Sequence, residues 1–183
     1  MSIWFCSDLH MNHYNSIPYC NRPFETVEEM NQALINNWNS VVNSDDTVYV
    51  LGDFIMGSPS TVKDIVSQLN GEIILVRGNH DTDKKLEVYD EVGIEVKDLV
   101  YLKDKGKMYI CSHYPMYLGQ WNDGRKNKLY CLSGHSHIKS PFYEDIPLNY
   151  HVGVDAHNYT PVNFEQIKNE IRQKEEELRN VET

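Results

Sequence analysis

The chain has 183 residues, 40% of them apolar, and a formal net charge of −10. That much apolar material can bury a real core, so one domain over residues 1–183 is expected. The acidic balance disfavours long nucleic acid, whose backbone is bound by Lys and Arg. No apolar run reaches the roughly 20 residues of a membrane helix, and no basic leader precedes the first apolar run, so a soluble, cytoplasmic protein without membrane contact is expected.

In chain order, the run IWFC (residues 3–6) reads as a strand and ends in Ser7, Asp8, Leu9 and His10. Thr26 and Glu29 form a capping box, and Val27, Met30, Leu34, Trp38 and Val41 mark one apolar face, which predicts a helix to about residue 42. A strand over about 47–51 runs into Gly52 and Asp53. Ser58 and Pro59 open a second helix with Val62, Ile65, Val66 and Leu69 on one face, ended by Asn70 and Gly71. The run IILV (residues 73–76) stops in Arg77, Gly78, Asn79, His80 and Asp81. Such alternation of strand and helix predicts a sheet containing parallel strands, whose ligands gather at strand C-terminal ends.

The second half differs. A hairpin is expected over 99–113 around Asp104 to Lys107, with its second strand ending in Ser112 and His113. A strand near 128–133 ends in Ser133, Gly134, His135, Ser136 and His137, and another is expected near 148–154. A charged helix from Asn163 to about Asn180 carries a narrow stripe of Phe164, Ile167, Ile171 and Leu178. That stripe is expected to dock on the body, with contact in a homo-oligomer as the alternative. Cys6, Cys20, Cys111 and Cys131 show no C-x-x-C spacing and read as reduced core thiols.

Five apolar runs thus each end in a small residue followed by Asp, Asn or His. Asp8 and His10 lie two apart and would face one side of an extended backbone. With Asp53, Asn79, His113, His135 and His137 they make seven donors, more than a tetrahedral zinc takes and suited to two six-coordinate ions. Asp53, which has no partner ligand in its own loop, is the natural bridge. Imidazole and carboxylate together favour transition metals, so two divalent ions are expected: manganese first, with iron, zinc or nickel as alternatives. Two aspartates against two divalent cations leave the site locally positive and receptive to an anion.

The ordered set D-x-H (Asp8, His10), G-D (Gly52, Asp53), G-N-H-D (Gly78 to Asp81), H (His113) and G-H-x-H (Gly134 to His137) resembles the calcineurin-like metallophosphoesterases. The flanks SDLHMNH, NRPFETVEEMN and SHYPM resemble the small bacterial and phage hydrolases of that superfamily. The resemblance implies an α/β fold, a four-layer α/β/β/α sandwich of two mixed sheets. It implies one ion held by Asp8, His10, Asp53 and His137 and a second by Asp53, Asn79, His113 and His135. His80 would contact the scissile phosphate, and Asp81 would position it or brace the loop, so both are candidate catalytic residues. Asn12 departs from the pattern, because relatives often carry Gly before the residue matching His13. His13 is then a substrate contact or a plain loop residue. Arg77 clamps phosphate or braces its loop, with bracing favoured. Arg125, beside Lys126 and Lys128, contacts substrate or belongs to a solvated face. His151 and His157 match no motif and are expected to be solvated or structural. The expected activity is hydrolysis of a small, soluble phosphodiester by a hydroxide bridging the two ions. Phosphomonoesterase, protein phosphatase or nuclease activity on the same site is the alternative, and a non-catalytic scaffold is disfavoured because every ligand position is filled.

Overall fold

The apolar runs pair into two mixed sheets. The computed structural model describes residues 1–118, 128–146 and 148–181. The first sheet is ordered β4-β3-β2-β1-β9, from β1 (Ile3–Cys6), β2 (Thr47–Val50), β3 (Glu72–Val76), β4 (Glu95–Lys97) and β9 (Val162–Asn163). β1 to β4 are parallel and β9 is antiparallel to β1. The second is ordered β5-β6-β7-β8, from β5 (Val100–Asp104), β6 (Lys107–Cys111), β7 (Leu129–Ser133) and β8 (Asn149–His151). β5 and β6 form the expected hairpin, while β6, β7 and β8 run parallel. This is the α/β class of two mixed sheets with helices that the sequence reading expects.

Alternation along each strand sends residues to two cores. Cys6, Val48, Val50, Ile73 and Leu75 pack with Met30, Leu34 and Trp38 of α2 (Val27–Val41), Val62 and Ile65 of α3 (Pro59–Val66), and Val88 and Tyr89 of α4 (Asp83–Glu91). Phe5, Leu51 and Val76 turn the other way, toward Tyr109, Cys111, Tyr130 and Leu132 of the second sheet. Phe164, Ile167 and Ile171 of α5 (Phe164–Val181) join that second core, so the apolar stripe docks on the body. Thr26 Oγ1 accepts the Glu29 N–H, and Ser58 Oγ accepts the Thr61 N–H, as the caps predict.

Among the elements that escape the sequence reading are α1 (Ser16–Tyr19), α4, β4 and β9. α4 reads DKKLEVYDE, too polar for its period to show, and only Val88 and Tyr89 of it are buried. α3 stops at Val66, short of the expected Asn70-Gly71, because the chain leaves the helix through two tight turns at Gln68 and Leu69. Among the described residues no helix is long and apolar enough to cross a membrane.

Candidate metal centre

Five of the parallel or hairpin strands end at one edge, and the residues that follow them meet there. Asp8 follows β1, Asp53 follows β2, Asn79 and His80 follow β3, His113 follows β6, and His135 and His137 follow β7. The backbone is unusual at this edge: Asp8 (φ 56°), His10 (47°), Asp53 (55°), His135 (71°) and His137 (49°) all adopt left-handed conformations. Such conformations cost non-glycine residues free energy and cluster at functional sites. Asp8 and His10 therefore do not share a side through an extended backbone, as the sequence suggested. They face one site because left-handed turns, pinned by Asp8 N–H to Gly52 O and His10 N–H to Asp53 O (3.0 Å each), aim both side chains inward.

Glycines let the loops approach. A Cβ on Gly52 would strike the His113 ring and come within 2.7 Å of Gly78 Cα, and one on Gly78 would strike the Asp53 carboxylate.

All seven expected ligands come together. Asp53 Oδ2 lies between two imidazoles, 3.6 Å from His10 Nε2 and 3.5 Å from His113 Nε2, distances too long for hydrogen bonds. Asp8 Oδ1 is 4.0 Å from His137 Nε2. His113 Nε2 is 2.9 Å from Asn79 Oδ1 and 3.2 Å from His135 Nδ1. Its other nitrogen, Nδ1, lies 2.9 Å from Leu51 O, a pure acceptor, so Nδ1 carries a proton and, in the neutral ring, Nε2 presents the lone pair. In that form the lone pair, a carboxylate oxygen and an amide oxygen converge with no proton between them. A cation resolves this, and the mixed nitrogen and oxygen donor set suits a transition metal.

Burial and the neighbouring His137 charge lower the His10 pKa to about 2, and burial with His113 lowers that of His135, so both rings keep a lone pair. Burial raises the pKa of Asp8, whose oxygens accept, among the described residues, the Ser7 hydroxyl (2.7 Å) and the His135 N–H (2.9 and 3.0 Å). Asp8, His10, Asp53 and His113 are buried, while Asn79 and His135 are exposed, so the centre opens on the Asn79 side.

The chain matches the calcineurin-like phosphoesterase family profile over residues 1–179. It belongs to the calcineurin-like phosphoesterase family. It is 37% identical over 172 residues to an uncharacterized protein of Methanocaldococcus jannaschii, covering 90% of this chain and 88% of that one. It is 29% identical over 181 residues to the gene 66 protein of Mycobacterium phage L5, covering 84% and 86%. Its fold resembles a protein of unknown function from Aquifex aeolicus, with a TM-score of 0.70 and 25% identity over 92% of this chain and 98% of that one. This calcineurin-like family is metal-dependent, and membership indicates a phosphoric ester hydrolase.

Within this family member the remaining candidates separate. His80 donates its backbone N–H to Asp53 Oδ1 (2.8 Å), which leaves its ring edge-on to His10, with centroids 5.2 Å apart. Its ring nitrogens have no hydrogen-bond partner among the described residues. His13 sits beside it, with rings 6.1 Å apart, so both imidazoles line the same rim. Asp81 does not face the opening, and of the two roles expected for it, bracing the loop is the one its contacts match. It is 1% exposed, and its carboxylate accepts the N–H groups of Asp53 (2.8 Å), Gly78 (2.9 Å) and Phe54 (3.4 Å), which ties the β2 and β3 loops together. Arg77 pairs with Asp83 at 2.7 Å and braces the start of α4. Arg125 lies outside the described residues. His151 is fully buried and so is not solvated, and His157 Nε2 bonds to the His151 carbonyl at 2.8 Å.

Sequence reasoning missed three residues behind His137. Asp155 Oδ2 lies 2.9 Å from His137 Nδ1, Arg22 grips the same carboxylate, and Cys20 Sγ lies 3.2 Å from the same ring nitrogen. Cys20 is thus a half-buried neighbour of a candidate ligand and not a core thiol, whereas Cys6, Cys111 and Cys131 are buried as expected. One signal was available: His151, Val152, Gly153, Val154 and Asp155 repeat the pattern of an apolar run ending in a small residue and a carboxylate.

Proposed function

We propose that the chain is a binuclear phosphodiesterase acting on small soluble esters. Asp8, His10, Asp53 and His137 would hold one divalent transition-metal ion, and Asp53, Asn79, His113 and His135 the other, with manganese as the first choice. The observation that carries this reading is the position of Asp53 Oδ2, set between His10 Nε2 and His113 Nε2 beyond hydrogen-bond reach of either. Two such ions, when bound, supply Lewis-acid charge at phosphorus and lower the pKa of water. Asp53 aligns the two halves of the centre and, by accepting the His80 N–H, fixes the loop that carries the His80 ring. The His80 ring, whose nitrogens have no hydrogen-bond partner among the described residues, then faces the phosphate and can donate a proton to the departing alkoxide oxygen. His13 borders the same rim and would contact substrate beside it.

A diester is favoured over a monoester by charge. Among the described residues the cations near the centre are engaged elsewhere: Lys85 Nζ bonds to His80 O (2.7 Å), Lys139 Nζ to Asp155 Oδ1 (3.2 Å), and Arg77 to Asp83. Little fixed positive charge beyond the ions remains for a dianion. The test is a rate panel of bis(p-nitrophenyl) phosphate, p-nitrophenyl phosphate, 2′,3′-cyclic nucleotides and dinucleotides, with manganese and with chelator. Chelator-sensitive cleavage of diesters at a higher kcat/KM than monoesters is expected. Faster monoester hydrolysis would overturn the diester assignment, and no metal-dependent hydrolysis of any ester would overturn the enzymatic one.

A further inference from the structure

His137 has two different faces. Nε2 looks toward Asp8 Oδ1, and Nδ1 toward the buried carboxylate of Asp155 at 2.9 Å. Asp155 is surrounded by donors. Arg22 Nε (3.1 Å) and Lys139 Nζ (3.2 Å) bind Oδ1, while Arg22 Nη2 (2.9 Å) and His137 Nδ1 bind Oδ2. Arg22 is itself buried and anchored, donating to the Asp8 carbonyl (2.6 Å) and the Leu9 carbonyl (2.8 Å). The carboxylate is an acceptor to all four groups, so His137 Nδ1 must carry the proton. Cys20 Sγ, at 3.2 Å, can then be only a second, weak acceptor of that N–H. In the neutral, ligating form of the ring the lone pair is then on Nε2, facing the Asp8 side of the centre.

We infer that Asp155, locked by Arg22, is a positioning residue that selects the Nδ1–H tautomer of His137 and so sets the affinity of the ion held by Asp8, His10, Asp53 and His137. This rests on the binuclear reading above. The same guanidinium clamps the Asp8 and Leu9 carbonyls, so the left-handed turn carrying Asp8 and His10 and the ring of His137 are held by one buried group. Partners behind a ligating imidazole fix its tautomer and orientation, and their loss costs about 10- to 100-fold in metal affinity.

The substitution that separates orientation from packing is Asp155→Asn, which keeps the shape and changes one oxygen to an amide. If the amide NH₂ takes the Oδ1 place, it opposes both Arg22 Nε and Lys139 Nζ. If it takes the Oδ2 place, it opposes Arg22 Nη2 alone and donates to His137 Nδ1, which drives the proton to Nε2 and into the ion site. The second arrangement has fewer opposed donors. Manganese titration of the full chain by calorimetry is expected to show two ions in the parent, with one bound about 10- to 100-fold more weakly in Asp155→Asn and the other within about twofold. Lys139→Ala, which touches Asp155 without facing His137, should leave both affinities within about twofold. Two unchanged affinities in Asp155→Asn would overturn the inference, whereas fewer than two ions in the parent would overturn the binuclear reading itself. Should Asp155→Asn fail to fold, the parent still decides: nitrogen-15 shifts of the zinc-loaded chain are expected to show His137 protonated at Nδ1 and zinc-bound at Nε2. The reverse assignment overturns the inference.

Discussion

Asp81 gives the sharpest test of how the centre is held. Its Oδ2 takes the Asp53 and Gly78 N–H groups at 2.8 and 2.9 Å, and Oδ1 takes Phe54 N–H at a long 3.4 Å. Hydrogen bonds to a charged group are worth about 1.5–3 kcal/mol each, so removing the two short ones by Asp81→Ala should cost roughly 3–6 kcal/mol. Asp81→Asn can keep both short bonds with its amide oxygen, at neutral strength, and turns its NH₂ toward Phe54, where little is lost. Neutral bonds are worth about 0.5–1.5 kcal/mol each, which puts the Asn variant at roughly half the cost of Ala. Urea unfolding with a chelator present measures both without a contribution from bound ions. Ion occupancy should fall in Asp81→Ala, because the bonds it loses tie the Asp53 loop to the Asn79 loop, and should persist in Asp81→Asn with activity within about tenfold of the parent. An Ala variant costing under about 1 kcal/mol would refute the brace. So would an Asn variant of parental stability and full ion content whose kcat falls more than about a thousandfold, since that loss would place Asp81 at the reacting atoms.

His80→Ala should slow hydrolysis of an alkyl or ribosyl ester by about 10²- to 10⁴-fold and of a nitrophenyl ester much less, with two ions still bound; equal losses on both esters would make His80 a phosphate contact and not the acid. Asp46 accepts the N–H groups of Ser2 (2.6 Å) and Asn43 (3.1 Å) and the Trp4 indole N–H (3.2 Å), and these bonds hold its folded pKa at about 2. A lowered folded pKa stabilises above the unfolded carboxylate value and is lost as pH falls toward 2, so in chelator the Tm deficit of Asp46→Asn at pH 7 should shrink toward zero between about pH 4 and 2. A deficit unchanged over that range would contradict the assignment.

Much of the centre was legible because its signal is local. Asp8, Asp53, Asn79, His113 and His135 each follow an apolar run within three residues, and a strand end is where a sheet of this class gathers ligands. The caps at Thr26 and Ser58 were legible for the same reason. What escaped depends on distance along the chain or on backbone conformation. Arg22 meets Asp155 across 133 positions, and nothing near either residue announces the pairing. The left-handed φ at Asp8 and His10 exists because Gly52 and Asp53 carbonyls from another strand end pin those amides. For Asp81 the G-N-H-D motif left positioning and bracing open, and it is the turn of its carboxylate back to the amides of Gly78, Asp53 and Phe54 that favours bracing.

The central claim is that Asp53 joins two ions in one centre. The most direct measurement is anomalous diffraction from manganese-loaded crystals. Two peaks about 3.5–4 Å apart are expected, with Asp53 touching both, His10 and His137 beside one, and Asn79, His113 and His135 beside the other. A single peak, or two peaks of which Asp53 touches only one, would contradict the account.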